Sequence, residues 1–118
     1  MNNTTTQDEY WTTVCQLEQL LENAGHCVLL KEKQIAVFRL SGCSEIYAID
    51  NFDPFSNANV ISRGMVGDLN GLLVVASPIY KQHFDLASGQ CVEDDEVKLA
   101  TYQSRILDGA VQLALEKT

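Results

Sequence analysis

Two segments decide the reading: Ile49-Asp50-Asn51-Phe52-Asp53-Pro54-Phe55-Ser56 and Ala76-Ser77-Pro78-Ile79-Tyr80-Lys81-Gln82-His83-Phe84-Asp85-Leu86. Each follows a short apolar run, residues 46–49 and residues 72–76, of the kind that forms strands. Each turns at a proline, which fixes φ and removes a backbone donor. Rigid loops held side by side at strand ends form a common site geometry.

Outward from these segments the chain reads as short strands between turns. Residues 9–15 carry aromatic and β-branched side chains and predict a strand. Leu17, Leu20 and Leu21 have helical spacing, so residues 16–23 predict a short helix or turn. It ends at Asn23-Ala24-Gly25, where Gly25 suits a left-handed cap. Residues 26–31 and 34–40 predict a hairpin about Glu32-Lys33, followed by a turn at Ser41-Gly42-Cys43 and a strand over residues 45–49. Residues 57–65 make a long connection with one helical turn around Val60-Ile61. Asn70-Gly71 between residues 66–69 and 72–76 is the strongest hairpin signal in the chain. Residues 82–86 predict a strand ending at Ser88-Gly89. Residues 98–107 and 110–115, split by Asp108-Gly109, predict a last hairpin. The pattern is all-β. The expected core is Trp11, Val14, Val28, Leu30, Ile35, Val37, Phe38, Ile46, Ile49, Val74, Val75, Phe84, Leu99 and Ile106.

The chain has 118 residues, 46% of them hydrophobic, and a net charge of −8. That length suits one domain with a real core. The charge has the wrong sign for nucleic acid or an anionic membrane surface, and suits a basic patch on a partner protein. No apolar run approaches the roughly 18 residues of a membrane span. Residues 1–10 are polar and acidic, expected to be flexible, and lack the features of a signal peptide, so a cytoplasmic location is expected. The four cysteines, Cys15, Cys27, Cys43 and Cys91, form no C-x-x-C pair. They read as reduced, mostly buried thiols rather than zinc ligands. No G-x-G-x-x-G pattern offers a nicotinamide or flavin loop. The acidic run Glu93-Asp94-Asp95-Glu96 lacks calcium-loop spacing and reads as a solvated face.

The second loop, with Phe84-Asp85-Leu86 and Ser88-Gly89, resembles the second cluster-binding loop of Rieske domains. The strings YAIDNFDPFSNANVISRG (residues 47–64) and GLLVVASPIYKQHFDLASGQC (residues 71–91) resemble the small subunit of NAD(P)H-dependent assimilatory nitrite reductase, a Rieske-like family lacking the iron–sulfur cluster. The resemblance implies stacked antiparallel sheets in a single domain over residues 11–118, with a small inserted subdomain at about residues 50–86. It implies an accessory role in a cytoplasmic enzyme that reduces nitrite to ammonia. Flavin, sirohaem and an iron–sulfur cluster are then expected on the large subunit, with none bound by this chain. The remaining readings are a Rieske-type ferredoxin-like electron carrier and an interaction module for another oxidoreductase.

Laid on this sequence, the Cys-x-His and Cys-x-x-His ligand pairs of Rieske domains fall on Asn51 and Asp53 and on Ser77 and Tyr80. These residues supply neither the thiolates nor the imidazoles that hold a two-iron cluster. Residues 54–76 also separate the pairs by more than Rieske proteins usually place between them. A polar contact between the loops is expected instead. Asp53 would accept from the Tyr80 hydroxyl or from loop N–H groups, with Asn51 bridging. Tyr80, Lys81, Gln82 and His83 stand where a Rieske domain approaches its redox partner, so they are the candidate docking face. His83 reads as a hydrogen-bonded packing residue, since no nucleophile or paired carboxylate accompanies it. No catalytic residue and no metal ligand is expected in this chain.

Overall fold

The computed structural model describes residues 11–114. Expectations for residues 1–10 and for residue 115 lie outside them. In chain order the strands are β1 (Trp11–Gln16), β2 (Ala24–Leu30), β3 (Lys33–Arg39), β4 (Ile46–Asp50), β5 (Phe52–Asp53), β6 (Ala58–Asn59), β7 (Met65–Leu69), β8 (Leu72–Ala76), β9 (His83–Asp85), β10 (Ser104–Leu107) and β11 (Ala110–Ala114). Short 3-10 turns occupy Leu17–Gln19 and Ile61–Arg63. Among the described residues no helix is long and apolar enough to cross a membrane.

Antiparallel pairing builds three-stranded sheets β1-β11-β10, β2-β3-β4 and β7-β8-β9, with a small β5-β6 ribbon. The β2-β3-β4 sheet is the middle layer, and β3 shows why. Ile35, Ala36, Val37 and Phe38 are all buried, a continuous apolar run of the kind a strand covered on both faces requires. Successive side chains point to opposite faces. Ile35 and Val37 join Leu20, Ile46, Ala48, Tyr102, Val111 and Leu113 on one side. Ala36 and Phe38 join Ile49, Ile61, Val75, Phe84, Leu86 and Leu99 on the other. One wall therefore supports both a scaffold sheet and the sheet that carries the loops. Fully burying each such side chain contributes about 1.5–3 kcal/mol.

Local chemistry explains where the sequence reading holds and where it shifts. The Asn70-Gly71 hairpin forms as expected, both residues having positive φ (57° and 90°). The β2–β3 turn falls one residue earlier than expected, on Lys31 and Glu32, which adopt positive φ without a glycine to announce it. The left-handed residue before β2 is Asn23, not Gly25. Gly25 lies within β2, at a position where a Cβ would meet the Ser62 carbonyl oxygen and the Phe38 ring. Residues 98–103 form single cross-links rather than a ladder, through Leu99 N–H to Gly89, Asp50 N–H to Ala100 and Tyr102 N–H to Ala48. Ile106 is 39% exposed, because β10 is an edge strand. Trp11, Val14 and Val28 are half-buried, the first beneath the Arg105 guanidinium.

Candidate functional site

The site lies where β4 ends. Asp50, the last residue of β4, accepts from the Tyr102 hydroxyl at 2.7 Å and has Lys33 Nζ at 3.7 Å. The Tyr102 hydroxyl is pushed above its ordinary range by burial, which the Lys33 ammonium opposes and the Asp50 carboxylate reinforces. This anchors the strand end from which the first loop departs.

Asn51 is buried and fully engaged. Its Nδ2 donates to Gln34 Oε1 at 3.0 Å, and its Oδ1 accepts the Ser62 backbone N–H at 2.7 Å. Its backbone N–H donates to the Gln34 carbonyl and its carbonyl accepts from Ile61. Asn51 thus joins the first loop to β3 and to the 3-10 turn over Ile61–Arg63.

Asp53 has no exposed surface. Its Oδ1 accepts the Phe55 N–H at 2.9 Å, its Oδ2 accepts the Ser56 hydroxyl at 2.9 Å, and its carbonyl accepts the Asn57 N–H at 2.7 Å. An aspartate that bonds its own following backbone closes a tight turn. The same Oδ2 also accepts the hydroxyl of Ser77, itself fully buried, at 2.5 Å.

The second loop closes on itself: Ser77 N–H donates to the Gln82 carbonyl and Lys81 N–H to the Ser77 carbonyl. Lys81 takes φ 68° to complete the turn. Ile79 and Tyr80 stand outward at its tip, 48% and 60% exposed. At the end of the loop, His83 Nδ1 lies 2.6 Å from Glu93 Oε2, and the His83 N–H donates to Glu93 Oε1 at 2.8 Å. Burial pulls the Glu93 carboxyl upward, but the His83 backbone N–H and ring outweigh it and hold it below the usual carboxylate range.

The four ligand-equivalent positions therefore separate. Asp53 and Ser77 meet, Asn51 turns to Gln34 and Ser62, and Tyr80 stands in solvent. Of the two donors expected for Asp53, a loop N–H is present, from Phe55, whereas the Tyr80 hydroxyl is replaced by that of Ser77, because the Ser77–Gln82 closure points Tyr80 outward. Of the expected docking residues, Tyr80 and Lys81 are exposed, while Gln82 and His83 are half-buried. Gln82 Oε1 is buried without a hydrogen-bond partner among the described residues. Glu93 is not a merely solvated residue of the acidic run, since it holds His83. Ile79, Gln34, Ser62 and Glu93 were not singled out from the sequence. Only the Asp53-x-x-Ser56 turn had a local signal, an aspartate and a serine spaced for an Asx turn.

A two-iron cluster is the group a Rieske fold implies, and the donor set does not fit it. The donors are an amide, a carboxylate, a hydroxyl and a phenol, where thiolates and imidazoles are required. The Asp53–Ser77 contact occupies the space between the loops. Among the described residues no three His, Cys, Asp or Glu side chains gather as a metal site would need. The four cysteines are free, but only Cys91 is buried; Cys15 and Cys43 are half-buried and Cys27 is exposed, because β2 is an edge strand, so the expectation of mostly buried thiols does not hold. Partial desolvation raises the thiols of Cys15, Cys27 and Cys91 above their ordinary value, which disfavours the reactive thiolate.

Comparison with known proteins gives a consistent result. The Rieske-like [2Fe-2S] domain family matches residues 10–114. The small subunit of NADH nitrite reductase from Escherichia coli is 41% identical over 103 residues, 87% of this chain and 95% of that protein. A Klebsiella oxytoca protein named nitrite reductase [NAD(P)H] large subunit is 38% identical over 101 residues, 86% of this chain and 10% of that protein. The solution structure of the Escherichia coli protein NirD is similar with a TM-score of 0.84 and 39% identity, covering 91% of this chain and 97% of that one.

Proposed function

Because this chain belongs to the nitrite reductase small-subunit family, within the Rieske-like domains, we propose that it binds and supports the catalytic large subunit without a cluster of its own. The enzyme is the cytoplasmic NAD(P)H-dependent nitrite reductase that makes ammonia in nitrate and nitrite assimilation. Flavin, sirohaem and the iron–sulfur cluster reside on the large subunit. The chain docks through the second loop, with Tyr80 and Lys81 in contact and Gln82 and His83 behind them.

The Asp53–Ser77 hydrogen bond carries the clusterless reading: two buried oxygen groups bond each other at ligand-equivalent positions. It leaves the chain a structural task rather than an electron-carrying one. The Klebsiella oxytoca large subunit supports the partnership, since a stretch similar to this chain lies within that single polypeptide.

The test is NADH-dependent nitrite reduction by the large subunit with and without this chain, together with co-purification. Complex formation and a fall in activity on omission are expected. Failure of both would overturn the subunit role. Iron at one cluster per chain in anaerobically purified protein, with the matching visible absorption, would overturn the clusterless reading.

A further inference from the structure

Among the described residues, five of the ten exposed large apolar side chains, Phe52, Met65, Ile79, Tyr80 and Val92, lie on or beside the two loops; Leu21, Leu29, Leu72, Ile106 and Leu107 lie elsewhere. Phe52 precedes Asp53, and Ile79 and Tyr80 follow Ser77. Met65 pairs with Ala76, the residue before Ser77, and Val92 donates its N–H to His83. Single exposed apolar residues need no explanation, but a group at one end of a molecule marks an interaction surface. This group sits on segments distant in sequence, one carrying Phe52 and the other Ile79 and Tyr80.

The Asp53–Ser77 hydrogen bond joins those segments. No other hydrogen bond among the described residues links residues 51–59 to residues 77–82. The rest of Asp53 is committed to its own turn, so the Ser77 hydroxyl is the link. We propose that this buried pair is a positioning device, holding Phe52 in register with Ile79 and Tyr80 as one docking surface for the large subunit. The inference rests on the small-subunit reading. The occupant is argued from the Klebsiella oxytoca large subunit that contains a similar stretch, and from charge. The surface is apolar at Phe52, Ile79 and Tyr80, and beside the loop stands Glu93, which bonds His83 and opens the acidic run Glu93-Asp94-Asp95-Glu96, in a chain of net charge −8. Its complement is an apolar socket with a basic rim.

The experiment measures the affinity of the full-length chain for the large subunit at low temperature, where each variant is first shown to be folded. Ser77→Ala removes the link and is expected to weaken the complex about tenfold, the equivalent of one well-placed hydrogen bond. Asp53→Asn keeps hydrogen-bonding groups toward Phe55, Ser56 and Ser77 and is expected to bind within about threefold of wild type. Phe52→Ala and Ile79→Ala should each weaken binding with little change in melting temperature. Amide exchange of residues 79–81 in the isolated Ser77→Ala chain should accelerate, while that of β3 should not.

If Ser77→Ala lowers the melting temperature but the folded variant binds like wild type, the pair is only structural and the inference fails. Unchanged binding by both Phe52→Ala and Ile79→Ala also overturns it, by moving the interface elsewhere. If the wild-type chain itself does not bind the large subunit, the small-subunit reading fails, and the docking inference with it. That result is separable, because it appears before any variant is made.

Discussion

The molecule uses one short turn twice, for different purposes. In Asp53-Pro54-Phe55-Ser56-Asn57 the carboxylate accepts the N–H two residues on at 2.9 Å and the hydroxyl three residues on at 2.9 Å. In Asp85-Leu86-Ala87-Ser88-Gly89 the corresponding distances are 2.9 and 3.0 Å. Both aspartate carbonyls accept the N–H four residues on at 2.7 Å, from Asn57 and Gly89, which take φ 60° and 80°. Locally the turns are near copies, set by Asp and Ser at fixed spacing. They differ in surroundings. Asp53 is wholly buried and reaches across to Ser77, whereas Asp85 is half-buried beside the β9 strand end. The motif makes the turn, and its burial decides whether the turn also welds two loops.

Removing each carboxylate breaks the comparison open. Asp53→Ala leaves the Ser77 hydroxyl without its acceptor in a buried site, and the part-buried Phe55 N–H and Ser56 hydroxyl without theirs. Unpaired buried donors cost about 1–3 kcal/mol each when nothing replaces the partner, so a loss of about 3 kcal/mol or more is expected in chemical denaturation. Asp85→Ala strips the same local bonds where water can reach the freed groups. A loss of about 1 kcal/mol is expected. Equal losses would mean that the turn, not the Ser77 link, carries the stability.

Much of the scaffold was legible because its signals are local. The apolar run over residues 35–38 and the Asn70-Gly71 turn announce strand β3 and the β7–β8 hairpin, and the all-β Rieske-like reading agrees with the family match. The site was less legible because its partners are distant in the chain. Ser77 lies 24 residues from Asp53, and Asn51 lies 17 from Gln34. No spacing rule connects them; only the packing of sheets about β3 does. The ligand-equivalent positions include Asp53 and Ser77, the two that meet, but chemistry alone favoured the larger phenol of Tyr80 over the small hydroxyl of Ser77. Burial reversed that choice: a serine fits in the closed gap, while the loop closure leaves a tyrosine at the tip. Residues 98–103 misled for a related reason, since their extended backbone bonds to several neighbours in turn rather than to one strand.

A smaller effect sharpens the contrast from the exposed side. Glu93 holds His83 as an outside brace, its side chain 45% exposed. Its carboxyl is held below the usual range in the folded chain. The folded value being the lower one, the stabilisation is present above about pH 4.3, the ordinary glutamate value, and is lost as pH falls through the folded value. Glu93→Gln removes it. Wild type should exceed the variant by less than about 1 kcal/mol near neutral pH, as expected of an exposed pair. The difference should shrink below about pH 4 and also with added salt. A gap that widens in acid would reverse the assignment.

The last variant should leave stability alone. Tyr80→Ala removes a ring that is 60% exposed at the tip of a loop whose closure is made by backbone groups of Ser77, Lys81 and Gln82. Nothing in that closure depends on the ring, so the unfolding midpoint should move by no more than about 0.5 kcal/mol. Binding should respond in the opposite way, because an exposed tyrosine on the proposed docking surface is the kind of side chain on which interfaces concentrate their energy. Affinity for the large subunit should fall while the melting temperature stays. That is the inverse of Asp85→Ala, which should lower the melting temperature and leave affinity intact. If Tyr80→Ala and Asp85→Ala behave alike, the division between an exposed contact and a braced turn is lost, and docking by way of this loop with it.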